Sequence, residues 1–446
     1  MFTKTVSYEE VASFFDGLVK IRKIKTYEDT RGMVCETFRL DSDITHDSKM
    51  CYISETNPYI QRGVHSHQYQ RDEFISWKNL MCYMFYNPSS KKSAYYITNP
   101  NHIINVSVEP GILHAYRNLD NKPASTLNYP TSLFMGEDKK GKIDEIRHED
   151  RLSGKKAYVV LGANGRLGAA ITEKLLSNMG EYDYEVFPLY HKIKDSTDII
   201  KTLDDIQKAT THTKASEVTI INCIGVTNVQ EASKKDPNLL WANADLPYLL
   251  GEYTGSRGFK FIHFSTDYIY QEVKEAFKET PNMTLSPYTV SKKVYEEAIK
   301  ESLNSGSKKQ KHVKVLRVAN LFTSEIDDTN NIIQKISKNV NKFGEVKHDP
   351  NIYIGPTHVR VIADWLFDNL GKVDTLPSFT NLVSPDVYTI REILNKFYGG
   401  YAKHVEAHSH IVPWFDKFKY EVDSVTLASS EEYIKNLICS IKDKTN

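Results

Sequence analysis

The sequence predicts a multidomain chain in two parts, an all-β part followed by an α/β part built on a doubly wound parallel sheet. Length is the first observation: 446 residues exceed the size at which one hydrophobic core keeps growing, so at least two domains are expected. Rhythm is the second. Between about residues 18 and 137, short β-rich runs are separated by Pro, Asn, Gly and Asp, whereas from Lys155 short apolar runs alternate with longer stretches of helical period. The third is the charged, poorly apolar segment DKKGKIDEIRHEDRLSGKK at 138–156, which reads as a linker. The expected domains are therefore 1–150 and 151–446.

In the first part the runs LVKIRKI, MVCETFRL, LMCYMFY, AYYIT, HIINVSV and STLNY have strand length and composition, with no helical pattern between them. That pattern fits a barrel or sandwich. In the second part AYVVLGA, EVTIINCIG, FKFIHFST and VKVLRVANLF have the continuous apolar character of strands buried on both faces, and ITEKLLSNM and SKKVYEEAIKESL supply helices between them.

Composition narrows the function classes. Lys plus Arg and Asp plus Glu both number 57, so the net charge is zero and no overall field attracts nucleic acid or anionic lipid. No apolar run approaches the roughly 18 residues that span a bilayer, and the N-terminus MFTKTVSYEEV lacks an apolar leader; a soluble, cytoplasmic protein is expected. The 5 cysteines are scattered and form no CxxC pair, which argues against a disulfide framework or a cysteine zinc site.

In AYVVLGANGRLGAAITEKLL, Gly162, Gly165 and Gly168 follow an apolar strand and open an amphipathic helix. Glycines there let backbone N–H groups approach a pyrophosphate at the positive end of the helix, so a dinucleotide site is expected at Gly162, Asn164, Gly165, Arg166, Leu167 and Gly168. The next strand, YEVFPLY, ends not on an acidic residue but at His191 and Lys192, and with Arg166 nearby this favours the 2′-phosphate of NADPH. The alternative is that these are solvated surface charges. Further on, SPYTVSKK places Tyr288 and Lys292 on one helix face, where an ammonium lowers a phenol pKa and readies it for proton transfer to a carbonyl oxygen. Thr266, at the end of a strand, offers a hydroxyl to orient that oxygen.

GANGRLG, FSTDYIY, YTVSK and IGPTHV (354–359), in that order, resemble the extended short-chain dehydrogenase/reductases, and among them the dTDP-4-dehydrorhamnose reductases, over about residues 156–446. The resemblance implies a Rossmann domain, a Thr266–Tyr288–Lys292 triad and hydride transfer to a sugar C4 ketone. It also places Asn222, Gly225 and Asn243 near the cofactor. Sugar-nucleotide 4,6-dehydratases carry Thr-Asp-Glu where this chain has Thr266, Asp267 and Tyr268, so dehydration is not expected.

YEDTRGMVCETFR, IQRGVHSHQYQ and VEPGILHAYRNL resemble the cupin (jelly-roll) dTDP-4-dehydrorhamnose 3,5-epimerases over about residues 18–150. That resemblance implies Arg31, Glu36, Arg62, His114 and Tyr129 at a sugar-nucleotide site, with His65 as the base. A ketone at C4 acidifies C3 and C5, so a neutral imidazole can take a proton if a cation or donor stabilises the enolate. A carboxylate partner for His65 is expected among Asp144, Glu149 and Asp150. Two positions depart from the pattern. His67 replaces a glutamine, and with Asp72 or Glu73 and His114 it approaches the metal-binding cupin arrangement, so a Zn²⁺-like ion at His65, His67 and His114 is one reading and a hydrogen-bonding role for His67 the other. Asn128 stands where the epimerases carry an acid tyrosine, and the adjacent Tyr129 would face the opposite side of a strand.

Together the resemblances imply a bifunctional enzyme: epimerisation at C3, or C3 and C5, then C4 reduction of a UDP- or dTDP-4-keto-6-deoxyhexose or its 2-acetamido analogue. The product would be an activated 6-deoxy-L-sugar of the L-rhamnose kind. A homodimer is expected by resemblance, with neither nucleic acid nor membrane as partner. Two alternatives are a non-catalytic NADP-binding regulatory subunit, like the beta subunit of methionine adenosyltransferase, and a sugar 3,4-ketoisomerase in the cupin part.

Overall fold

The computed structural model describes residues 8–40, 45, 47–133, 144–148, 156–179, 184–227, 237–270, 272–273, 286–306, 310–326, 331–348, 353–399, 403–406, 411–412 and 424–445. By their contacts they form two compact units: Met1–Tyr158 with Leu176–His191 and Lys201–Val218, and Val159–Leu175 with Lys192–Ile200 and Thr219–Asn446. No helix among the described residues is long and apolar enough to cross a membrane.

The first unit holds the N-terminal strands β1 (Tyr8–Phe14), β2 (Val19–Ile24), β3 (Thr26–Asp29), β4 (Gly32–Cys35), β5 (Tyr52–Thr56), β6 (Gln61–His67), β7 (Asp72–Ser76), β8 (Met81–Asn87), β9 (Lys92–Ile97), β10 (Ile104–Val108), β11 (Leu113–Asn118), β12 (Ala124–Asn128) and β13 (Glu145–Arg147). They form a six-stranded sheet, β1-β2-β10-β7-β12-β5, and a five-stranded sheet, β13-β6-β11-β8-β9, while β3 and β4 pair as a hairpin. The pairings are antiparallel. Val19, Ile21, Phe74, Ile104 and Val106 of the first sheet join Met81, Tyr83, Phe85 and Tyr116 of the second in one buried cluster. Apolar side chains from two sheets removed from water together are what hold such a pair of layers.

One irregularity matters for the site. β6 and β11 pair His65 with His114 and Gly63 with Ala115, so Val64 is the extra residue of a bulge. Gly63 has φ +90° and Val64 φ +70°, the latter a conformation that a β-branched residue rarely adopts. A Cβ at Gly63 would stand 2.9 Å from the His114 carbonyl oxygen, so only glycine lets the strands approach here.

The C-terminal sequence supplies β14 (Lys156–Leu161), α1 (Arg166–Ser177), β15 (Tyr184–Leu189), α2 (Ser196–His212), β16 (Glu217–Asn222), α3 (Leu246–Ser256), β17 (Lys260–Thr266), α4 (Pro287–Asn304), β18 (Val313–Val318), β19 (Phe379–Val383) and β20 (Ser424–Thr426), with shorter elements between. The seven strands form one sheet in the order β15-β14-β16-β17-β18-β19-β20, and β16 to β20 pair in parallel. Strands are joined by helices, and β17, β18 and β19 are almost wholly buried, as a parallel sheet covered on both faces requires. This is the Rossmann-like arrangement that the alternating pattern predicts.

Candidate functional site

In the second unit, the turn after β14 is shaped by glycine. Gly162 has φ +73°, and a Cβ on Gly168 would stand 2.2 Å from the Gly162 carbonyl oxygen. The chain can therefore fold back on itself and start α1 at Arg166, with the Gly165 N–H closing the turn on the Gly162 carbonyl at 2.9 Å. No acidic side chain occupies the first turn of α1, so its partial positive charge is free for an anion. Leu167 is buried beneath the turn and Asn164 is exposed at its tip. Arg166 donates to Thr227 Oγ1 at 3.3 Å and to the Leu321 carbonyl at 3.4 Å.

The turn opens onto a cavity of about 350 Å³ whose lining includes Gly165, Arg166, Gly225, Thr266, Tyr288 and Lys292. Each side chain is placed by local sequence. Thr266 ends β17. Ser286 caps α4 by accepting from Thr289 N at 3.1 Å, and Pro287 starts the helix, which sets Tyr288 and Lys292 one turn apart on the same face. Lys292 Nζ donates to the Phe264 carbonyl at 3.3 Å. A Cβ on Gly225 would come 3.5 Å from Lys292 Nζ and 3.2 Å from Asn243 Oδ1, so glycine keeps this wall open.

Electrostatics in the cavity differ from expectation in one respect. Burial pushes the Tyr288 phenol above its ordinary value, and the Thr266 hydrogen bond opposes that only in part. Burial likewise lowers Lys292 to about 8, with Glu296 holding it up. Spacing predicts the ammonium beside the phenol, but its hydrogen bond goes to the Phe264 carbonyl instead. Asp267 is raised to about 7, chiefly by burial, and accepts from Thr266 Oγ1 at 3.2 Å.

Asn222 and Asn243 serve the cavity from behind. Asn222 is fully buried, joins His263 Nδ1 at 3.1 Å and accepts from Ile224 N at 3.0 Å. Asn243 binds both the N–H and the carbonyl of Val226 and donates to Ser291 Oγ, fixing the loop that carries Gly225. In the first unit His191 has both ring nitrogens engaged, Nδ1 with Tyr59 OH and Nε2 with Thr202 Oγ1, each at 3.1 Å. Lys192 is exposed.

The N-terminal sheets bring together a second constellation. One nitrogen from each of His65, His67 and His114 and one oxygen from Asp72 all lie within 4.8 Å of one another. His67 Nε2 and His114 Nε2 each lie 3.2 Å from Asp72 Oδ2. His114 Nδ1 faces the Ile112 carbonyl at 3.1 Å, which leaves Nε2 as the atom turned inward. That Nε2, like His67 Nδ1, is buried without a hydrogen bond of acceptable geometry. His67 Nδ1 is turned toward Asp144, whereas the unsatisfied His114 Nε2, beside His67 Nε2 and the Asp72 carboxylate, fits a divalent cation, whose bonds of about 2 Å place neighbouring ligands roughly 3 Å apart.

Carboxylates sort differently from expectation. Asp144 accepts from the N–H groups of Gln68, Tyr69 and Gln70 at 2.8–2.9 Å and lies 3.6 Å from His67 Nδ1. Glu145, one residue on and missed in the sequence, faces His65 Nδ1 at 3.6 Å. Glu149 and Asp150 lie outside the described residues. Burial, followed by the neighbouring His114 and His67, lowers His65 to about 3, so its imidazole is neutral. Asn128 donates to Asp72 Oδ1 at 2.9 Å and to Tyr52 OH at 2.7 Å, while Tyr129 turns to Thr37 and stacks on Phe38 at 5.5 Å. Tyr52, on the neighbouring strand, thus brings a hydroxyl to this side that no motif announced. Arg31 is exposed on the β3–β4 hairpin and paired with Asp29, Glu36 is paired with Arg39, and Arg62 Nε reaches the Glu55 carbonyl.

Residues 156–381, just over half of the chain, match the family model described as RmlD substrate binding domain. The chain belongs to that family. Among solved structures it is similar to a dTDP-4-dehydrorhamnose reductase of Clostridium acetobutylicum, with 20% identity, 64% of this chain and 99% of that one covered, and a TM-score of 0.44. A dTDP-4-dehydrorhamnose reductase of Bacillus anthracis in complex with NADP gives 19% identity, the same coverage and 0.44. UDP-glucose 4-epimerase of Thermus thermophilus with NAD gives 17%, 64% and 99%, and 0.46. A probable low-salt glycan biosynthesis epimerase of Haloferax volcanii is 27% identical over 127 residues, 27% of this chain and 81% of that protein. The RmlD-family match covers the glycine turn, Thr266, Tyr288 and Lys292. The His65 constellation lies outside it.

Proposed function

We propose that residues 151–446 reduce the C4 ketone of a nucleotide-diphospho-4-keto-6-deoxyhexose with NADPH, after residues 1–150, read as a cupin, have epimerised C3, or C3 and C5, of the same intermediate. The order is chemical: epimerisation needs the ketone and reduction removes it. The observation that carries the reading is the single cavity lined by the glycine turn, Thr266, Tyr288 and Lys292 in a chain of the RmlD family.

The turn fits a dinucleotide because no acidic side chain stands at the start of α1, Gly165 and Arg166 line the cavity, and a Cβ would fill the space at Gly168. When bound, NADPH supplies the hydride that goes to the sugar C4, leaving oxidised cofactor. Tyr288 gives the proton that turns the C4 oxygen into a hydroxyl. Thr266 orients that oxygen, and Lys292, bonded to the Phe264 carbonyl, adds its positive charge to the wall of the same cavity. Arg166 and Lys192 are the cations that a 2′-phosphate would meet, since His191 is held by Tyr59 and Thr202.

In the β-rich part, the neutral His65 is the base, with Glu145 facing its Nδ1. Tyr52 offers a hydroxyl on the side where Tyr129 does not. The Haloferax relative, by its name a probable epimerase, is in keeping with an epimerase activity in this chain. A second reading is favoured by the unsatisfied Nε2 of His114: a divalent ion held by His65, His67, His114 and Asp72. Such an ion would supply Lewis acidity toward the sugar oxygen, and His65 would then be a ligand rather than the base. The test incubates the full chain with UDP- and dTDP-4-keto-6-deoxyglucose, and with the 2-acetamido analogue, in deuterated water with and without NADPH. NADPH oxidation and label at C3 are expected. Absence of oxidation with every substrate removes the reductase reading, and absence of label removes the epimerase.

A further inference from the structure

We infer that Arg317 and Glu296 are positioning residues of the reductase centre, clamping the strand end and turn that carry Thr266 to the helix that carries Tyr288 and Lys292. This rests on the reductase reading above. Glu296 follows Tyr288 and Lys292 at successive four-residue steps on α4, so the three share one stripe. Its carboxylate accepts from Ser265 Oγ at 2.6 Å, and Ser265 immediately precedes Thr266. Arg317 on β18, the register partner of Ser265, grips the same carboxylate: Nε is 3.1 Å from each oxygen and Nη2 is 2.6 Å from Oε2.

The guanidinium also reaches past Thr266. Its Nη1 donates to Tyr270 OH at 2.6 Å, at the end of the turn Asp267–Tyr270 that follows Thr266. Thr266 is therefore bracketed by two residues tied to one ion pair, while Lys292 ties the same strand end through the Phe264 carbonyl at 3.3 Å. Both side chains of the pair are 2% exposed. A buried pair of this kind adds little stability over an apolar replacement, because each ion must be stripped of water. Fixed geometry is what it adds, and neither side chain lines the cavity, so any effect on chemistry passes through Ser265, Tyr270 and Lys292. The negative charge of Glu296 further favours the ammonium form of Lys292.

Glu296→Gln alone leaves a buried guanidinium uncompensated and risks unfolding. The informative variant of the full chain is the neutral pair Glu296→Gln with Arg317→Met. Two readouts are used: kcat and KM for NADPH-dependent reduction across pH, and the titration of Lys292 Nζ by NMR on protein labelled with heavy nitrogen in lysine. A fall in kcat of about tenfold is expected, with KM within about twofold, and the Lys292 midpoint falls by about one pH unit. Arg317→Lys, which keeps the charge but loses the fork, recovers the midpoint and part of kcat. A folded double variant that matches wild type in kcat, pH profile and midpoint overturns the inference. If the double variant does not fold, Ser265→Ala removes one arm of the clamp, and an unchanged kcat overturns it. A wild-type chain that oxidises no NADPH while its Lys292 midpoint still responds to the double variant defeats the reductase reading and leaves the clamp; an active wild type with neither readout moving defeats the clamp alone.

Discussion

His114 Nε2 lies 3.2 Å from Asp72 Oδ2 in a place where the two side chains are 4% and 1% exposed, yet it makes no well-formed hydrogen bond there. Burying such a group unsatisfied costs about 1–3 kcal/mol, so the constellation predicts an occupant. The purified chain, stripped with chelator and titrated with Zn²⁺, Mn²⁺ or Ni²⁺, is expected to bind one ion per chain. His114→Ala is expected to weaken that binding at least about tenfold. Calorimetric titration checks it; saturation no tighter in wild type than in His114→Ala leaves the cluster as a hydrogen-bonding network.

How much of this was legible in the sequence depends on range. The glycine turn, Thr266, Tyr288 and Lys292 are local motifs whose spacing implies their geometry, and the cavity brings them together. The partners of the β-rich constellation come from different strands: Asn128 reaches Asp72 because β12 pairs with β7, and Tyr52 reaches Asn128 because β5 pairs with β12. Strand order is a non-local property, so a motif around Asn128 does not announce Tyr52. Glu145 faces His65 while Asp144, just before β13, is held by the N–H groups of Gln68, Tyr69 and Gln70 and lies against His67, an arrangement set by how β13 joins β6. The lowered phenol pKa expected at Tyr288 failed for another reason: spacing gives proximity, but burial, which dominates, is not written in five residues.

Tyr288→Phe separates the two proposed activities. Loss of the proton donor is expected to reduce NADPH oxidation by about 10²–10⁴-fold, while deuterium still enters C3 through His65. His65→Ala is expected to do the reverse, blocking exchange and sparing reduction of an already epimerised substrate. Exchange that persists in His65→Ala removes that residue as the base.

Gly168→Ala tests the turn. A methyl at this position would stand 2.2 Å from the Gly162 carbonyl oxygen, far inside contact distance, and backbone cannot yield cheaply. Cofactor affinity is expected to fall more than about tenfold, measured by the fluorescence of bound NADPH, because the turn that sets the start of α1 is displaced. Gly165→Ala meets that oxygen at 3.3 Å and is expected to cost less. Equal affinities for wild type and Gly168→Ala would remove the turn from the binding site.

Asp267 gives the chain a pH dependence whose sign is fixed by the direction of its shift. Its surface is partly accessible, but burial of the carboxyl raises it from an ordinary value near 4 to about 7, against the hydrogen bond from Thr266. Below about pH 4 both folded and unfolded chains hold the proton and the group contributes nothing. Between about pH 4 and about pH 7 the unfolded chain has released it while the folded chain still keeps it, so folding becomes less favourable as pH rises. Above the folded value the loss is complete and stays constant, on the order of 4 kcal/mol for a carboxyl carried from about 4 to about 7. Asp267→Asn keeps the shape and removes the titration. Its melting temperature, compared with wild type at a series of pH values, is expected to match near pH 4 and to rise progressively above it toward neutrality. A difference that does not change with pH would mean that the Asp267 carboxyl is ionised in the folded chain, as it is in the unfolded one. The Thr266 hydroxyl would then be held by a charged acceptor beside the ketone site.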